Sequence, residues 1–250
     1  MSDIIQHLSY SSISKAYQCP KSWWEAYVNG HRGPSGAAAD WGTAWGEMVE
    51  SALVGKELKN DKLEGISEDI IESARIAKDE YFAQSRAWQE ADAVQVEVNI
   101  DPDKWKFWAE KYDAPSEIHF PVIGYIDARK GKAVMDLKST SAHGFKPDWA
   151  YQTTLYALYE ECSRWEIHKV KRKQLKKGEV REYEFYDWYP SPDVFREVMT
   201  WIANGSKKIH DMLEHGVKPE AFPSSMYCGF CPVGFDCAMI HFNRLEAYRD

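Results

Sequence analysis

The stretch VIGYIDARKGKAVMDLKST, Val122 to Thr140, decides the fold. It is apolar and β-rich on both sides of Lys130-Gly131-Lys132, the pattern of a hairpin. With Gly131 and Lys132 as a two-residue turn, the glycine supplying positive φ, Lys130 pairs with Ala133 and Arg129 with Val134. That register sets Asp127 opposite Asp136. Side chains alternate along a strand, so Lys138 shares their face while Ile126, Ala128, Met135 and Leu137 point the other way. Two carboxylates directly opposite repel unless a cation sits between them. A divalent metal resolves that conflict, and the alternative is a solvated strand edge.

Working outward, VQVEVNI (Val94–Ile100) alternates with period two and reads as a strand ahead of the hairpin, joined to it by a Trp-rich connection. Upstream lie only helices. Ser11 or Ser12 caps a short one through Tyr17, Pro20 restarts it as PKSWWEAYV, and further helices run from about Trp41 to Val54 and from Ser67, with an apolar stripe of Ile70, Ile71, Ala74, Ala77 and Tyr81. Downstream, Pro147 opens another helix. A second hairpin follows, WEIHKV and VREYEFYDWYP around a basic loop, and Ser191 to about His215 forms a long helix. This order predicts an α/β mixed sheet flanked by helices.

The 250 residues carry 44% hydrophobic and 14% aromatic side chains, a globular composition with no apolar run long enough to span a bilayer. MSDIIQHLSYSS lacks the basic start and apolar core of a signal peptide, so a cytoplasmic location with no membrane partner is expected. A net charge of -8 excludes a uniformly basic nucleic-acid coat but not a local cleft. In a reducing compartment, five cysteines read as ligands or core thiols rather than disulfides.

Asp127, Asp136 and Lys138 suit metal-assisted phosphodiester hydrolysis: carboxylates hold Mg²⁺ or Mn²⁺ through hard oxygens, and the lysine steadies the charge of the transition state. Fourteen residues after Lys138, Gln152 and Tyr156 lie at i and i+4 on one helix face. The set G-x2-D (Gly124, Asp127), D-L-K (Asp136–Lys138) and Q-x3-Y resembles the PD-(D/E)XK nuclease superfamily in its RecB-like branch. CGFCPVGFDC supplies Cys228, Cys231 and Cys237 as C-x2-C-x5-C, and Cys19 in YQCPKSWW stands alone far upstream. This arrangement is similar to that of the iron-sulfur nucleases of that branch, among them the AddB nuclease domain and the CRISPR-associated RecB-like exonucleases.

The resemblance implies a single restriction-endonuclease-like domain over residues 1–250. Its helical layer and nuclease core would span 41–215, and 1–30 with 216–250 would form a cysteine-cluster lobe. Cys19, Cys228, Cys231 and Cys237 would hold a [4Fe-4S] cluster, with structural Zn²⁺ as the alternative. Asp127, Asp136 and the Leu137 carbonyl would hold the catalytic metal, Lys138 would act on the phosphate, and Gln152 and Tyr156 would position it. The implied activity is a DNA exonuclease preferring single strands or free ends, in recombination, repair or phage or CRISPR-related processing, with a helicase or recombination partner. A non-catalytic DNA-binding or assembly module on the same fold is the alternative.

In GTAWGEMVE, Gly46 stands where the family places a histidine ligand, so Glu47 is expected as the third ligand, with Glu50 one turn away as a substitute. HKVKRKQLKK (His168–Lys177) holds six Lys or Arg residues. Lys169, Lys171, Arg172 and Lys173 are therefore the expected DNA phosphate contacts.

Overall fold

A computed structural model describes residues 5–31, 36–58, 60–141, 144–172 and 179–215. The element order is α1 (Tyr10–Gln18), α2 (Pro20–Tyr27), α3 (Ala37–Leu53), a 3-10 turn (Asn60–Leu63), α4 (Glu68–Phe82), β1 (Ala93–Ile100), α5 (Pro102–Tyr112), β2 (Val122–Lys130), β3 (Ala133–Thr140), α6 (Pro147–Tyr159), β4 (Arg164–Lys171), β5 (Tyr183–Trp188) and α7 (Pro192–Glu214). The five strands form one mixed sheet in the order β1-β2-β3-β4-β5. Among the described residues no helix is long and apolar enough to cross a membrane.

Two compact units can be described. One gathers the described residues of Met1–Pro34, Asn99–Ile123 and Met199–Asp250. Ser9 caps α1 by accepting the Ser12 N–H, and Cys19 caps α2 by accepting the Ser22 N–H at 3.4 Å, with Pro20 at the first helical position, where its missing N–H costs nothing. Tyr10 and Tyr17 stack on Trp201 of α7 at centroid distances of 5.0 and 4.9 Å. Alpha-helix α5 replaces the expected irregular connection. Asp101 caps it, Pro102 opens it, and Trp105, Trp108 and Ala109 form its buried stripe.

The other unit, Ser35–Val98 with Gly124–Val198, contains the greater part of the sheet. The β2–β3 register is the one the turn requires, Lys130↔Ala133, Arg129↔Val134 and Ala128↔Met135, with Gly131 at φ +55°. Beyond it the Leu137 N–H donates to the Asp127 carboxylate, at 2.6 Å. Strands β3 and β4 are parallel, so the chain must cross over, and α6 makes that crossing. Ala128, Ala133 and Met135 face a core built with Trp41, Trp45 and Val49 of α3 and Ala74, Ala77 and Tyr81 of α4. By alternation Asp136 and Lys138 face α6.

Strand β4 runs to Lys171, which shortens the expected basic loop. Lys169 is 2% exposed, and its ammonium binds Glu184 at 2.6 Å and the Gly144 carbonyl at 3.0 Å. It is an interior cation and is not presented to a phosphate. Across the same sheet, His168 is buried between the Tyr81 hydroxyl (2.6 Å from Nδ1) and Glu166 (2.9 Å from Nε2). Burial holds its imidazole below the ordinary value.

Candidate active site

The hairpin and α6 together assemble a chain of polar contacts. Lys138 Nζ lies 2.6 Å from Asp136 Oδ2 and donates to Gln152 Oε1 at 3.0 Å. Gln152 in turn donates through Nε2 to the Tyr156 hydroxyl at 2.9 Å. The i and i+4 spacing on α6 makes this possible, since both side chains leave one face of the helix. Gly124 completes the fit on β2, because a Cβ there would stand 2.9 Å from the Tyr156 hydroxyl. All five side chains assigned catalytic roles from sequence therefore belong to one neighbourhood.

Its electrostatics are costly without a cation. Asp136 is 2% exposed, and withdrawal from solvent pushes its carboxyl up against the opposing pull of Lys138. The Asp127 carboxyl is pushed up by desolvation and then by the Asp136 charge. Asp136 Oδ2 touches the Lys138 ammonium yet makes no well-directed hydrogen bond.

A cleft of about 390 Å³ opens beside Asp127 and Lys138, bounded by Gly46, Glu47 and Glu50 of α3 and by Gln95 of β1. Glu47 pairs with Lys62 of the 3-10 turn at the rim. Glu50 is 6% exposed and accepts from Gln95 Nε2 through both oxygens, each at 2.9 Å. Desolvation, then the Asp127 charge, pushes the Glu50 carboxyl up to about 8. Spacing points to Glu47; Glu50 is the more deeply buried carboxylate, and the Asp127 charge acts on it more strongly than any other. Gln95 carried no sequence signal.

The donor set fits a hard divalent cation. Asp127, Asp136 and Glu50 are oxygen donors drawn out of water, and Lys138 is the ammonium set among them. As they stand, no three His, Cys, Asp or Glu side chains among the described residues are grouped so as to hold a metal ion.

The remaining predicted residues separate. Lys171 pairs with Glu182 at 2.9 Å, and Arg172 donates to the Ala38 carbonyl at 2.8 Å. Lys173 and the cysteines Cys228, Cys231 and Cys237 lie outside the described residues, as does the 216–250 part of the expected lobe. Cys19 is partly exposed at the α2 cap, and Cys162, the fifth cysteine, is buried.

The chain has relatives among known proteins. The family model described as PD-(D/E)XK nuclease superfamily matches residues 7–238. No curated protein matches the sequence significantly. Among solved structures, the crystal structure of a "Putative exonuclease" from Eubacterium rectale is similar, with a TM-score of 0.59 at 12% identity over 86% of this chain and 84% of that one. The structure of SSO0001 aligns over 89% of this chain and 92% of that one at 10% identity, with a TM-score of only 0.32.

Proposed function

Because the chain belongs to the PD-(D/E)XK nuclease superfamily, we propose that it is a divalent-metal-dependent DNA nuclease, acting on single strands or free ends. One observation carries the reading: the Lys138 ammonium is held between Asp136 and Gln152 beside the half-buried Asp127. A lysine so fixed from two sides has little rotamer freedom to lose when phosphate arrives.

Asp127, Asp136 and the Leu137 carbonyl would hold Mg²⁺ or Mn²⁺, with a glutamate of α3 as the further ligand. A strand residue projects its N–H and C=O from the same edge, so the Leu137 carbonyl opens toward the side where its N–H meets Asp127. When bound, such a cation supplies Lewis-acid chemistry and lowers the pKa of its water. Lys138 steadies negative charge growing on the phosphate oxygens. Gln152 holds that ammonium in place, and Tyr156, pressed on Gly124, holds Gln152. We include in the proposal a cluster held by Cys19, Cys228, Cys231 and Cys237. Supporting it, Cys19 Sγ sits partly exposed at the N-terminus of α2.

The test is digestion of end-labelled single- and double-stranded DNA with Mn²⁺ or Mg²⁺, beside Asp136→Ala. Metal-dependent cleavage from the ends, absent in the variant, is expected. A wild-type protein that cleaves neither substrate with either metal is a binding or assembly module instead.

A further inference from the structure

Gln95 belongs to strand β1 but its backbone does not follow the strand. Its φ is +52°, in the left-handed region that residues with a Cβ avoid. The residue nevertheless keeps step with Glu97 and Asn99, the exposed positions of the strand, so its side chain leaves the solvent-side face of β1. It reaches one target, the Glu50 carboxylate, to whose two oxygens Nε2 lies 2.9 Å each.

The surroundings of Glu50 make this arrangement unusual. A buried carboxylate serving only the fold is matched by a cation or lies away from other acids. Glu50 instead has two acids, Asp127 and Glu47, as charged neighbours; the Lys62 ammonium also acts on it but is paired with Glu47, and the hydrogen-bond donor to Glu50 is a neutral amide. An amide donor fixes the orientation of the carboxylate and leaves its charge for another partner. One turn earlier, a Cβ at Gly46 would make only an ordinary contact with Glu50 Oε1, at 3.8 Å.

We propose that Gln95 is a positioning residue, its left-handed backbone holding Glu50 toward Asp127 as the third oxygen ligand of the cleft's divalent cation. The proposal rests on the nuclease reading above and extends it to a ligand on α3 and its support on β1. Outer partners that orient metal-binding carboxylates typically control affinity by about 10–100-fold.

The test is Mn²⁺ binding to the full-length protein, read from the electron paramagnetic resonance signal of free Mn²⁺. Gln95→Gly removes the amide while accepting positive φ, and Gln95→Asn keeps an amide too short to reach and also tolerates that backbone. Both are expected to bind Mn²⁺ about 10–100-fold more weakly. In a Glu50→Gln background, itself weakened, neither is expected to add a further loss. Wild-type affinity in Gln95→Asn, or in Glu50→Gln, overturns the inference, even where the wild-type protein binds Mn²⁺ and cleaves DNA. A wild-type protein that does neither removes the nuclease reading and this one with it. A fold-only role for Gln95 would lower the melting temperature and leave Mn²⁺ affinity unmoved.

Discussion

Gly124 and Tyr156 touch where a side chain on β2 would stand: a Cβ at position 124 would lie 2.9 Å from the tyrosine hydroxyl and 3.0 Å from its ring. Tyr156 is 4% exposed and has nowhere to retreat, so Gly124→Ala must move it and, through Gln152, move Lys138. Overpacking of this kind costs about 1–3 kcal/mol. A displacement near 1 Å at the lysine would slow cleavage by roughly 100-fold. The check is kcat for Gly124→Ala beside its melting temperature; a variant cleaving at the wild-type rate removes the steric seat from the mechanism.

Asp136→Asn separates chemistry from folding. The carboxylate is buried at 2.6 Å from Lys138 and is pushed toward its neutral form by desolvation. Removing its charge relieves the repulsion with Asp127, and Lys138, whose side chain is 21% exposed, can turn to water. Metal-dependent cleavage should fall by at least about 100-fold. Without metal, the melting temperature should equal or exceed that of wild type. A clear drop in metal-free stability would contradict this account of the pair.

The hairpin was legible because its information is local: one glycine fixes the turn, and the register follows from it over Lys130↔Ala133, Arg129↔Val134 and Ala128↔Met135. Helix α6 was legible for the same reason, through Pro147 and the spacing of Gln152 and Tyr156. Helix α5 was missed although Asp101, Pro102 and the Trp105, Trp108, Ala109 stripe signal it. Lys169 could not be read locally, since the partner that takes it inside, Glu184, is its cross-strand neighbour on β5. Glu47 and Glu50 differ only in tertiary surroundings, whereas the period-two reading of β1 holds from Val94 to Ile100 although the backbone at Gln95 is left-handed.

Lys169 supplies a test of that correction. Lys169→Met leaves Glu184, whose side chain is 29% exposed, without its ammonium. A loss of about 1–3 kcal/mol of stability is expected, below the cost for a fully buried pair. The salt dependence of DNA binding should be unchanged, whereas loss of a true phosphate contact lowers the slope by about one. Fluorescence anisotropy over a salt series measures it.

Protein purified without oxygen should be brown and contain iron if Cys19 joins Cys228, Cys231 and Cys237 on a cluster. Cys19→Ala should then lose both colour and stability, because cluster binding is also folding free energy. Zinc without iron or sulfide points to the alternative metal, and a colourless, metal-free protein leaves Cys19 as a helix cap only.

Glu50 gives the metal-free protein a pH dependence of definite sign. Its carboxyl stands at about 8 in the folded chain against 4.5 ordinarily, and Asp127 and Asp136 shift the same way. Between those values the folded state binds more protons than the unfolded one, so stability falls as pH rises. The share of Glu50 is present in full below about pH 4.5 and is lost as pH passes through 8. Its size is on the order of a few kcal/mol. Glu50→Gln removes that share, so the variant should gain on wild type from pH 5 to pH 8 when both are unfolded by urea in chelator. Adding Mn²⁺ should reverse the trend for wild type, since a bound cation stabilises the charged carboxylates. An equal gap between variant and wild type at both pH values would show that Glu50 is not held out of water beside Asp127.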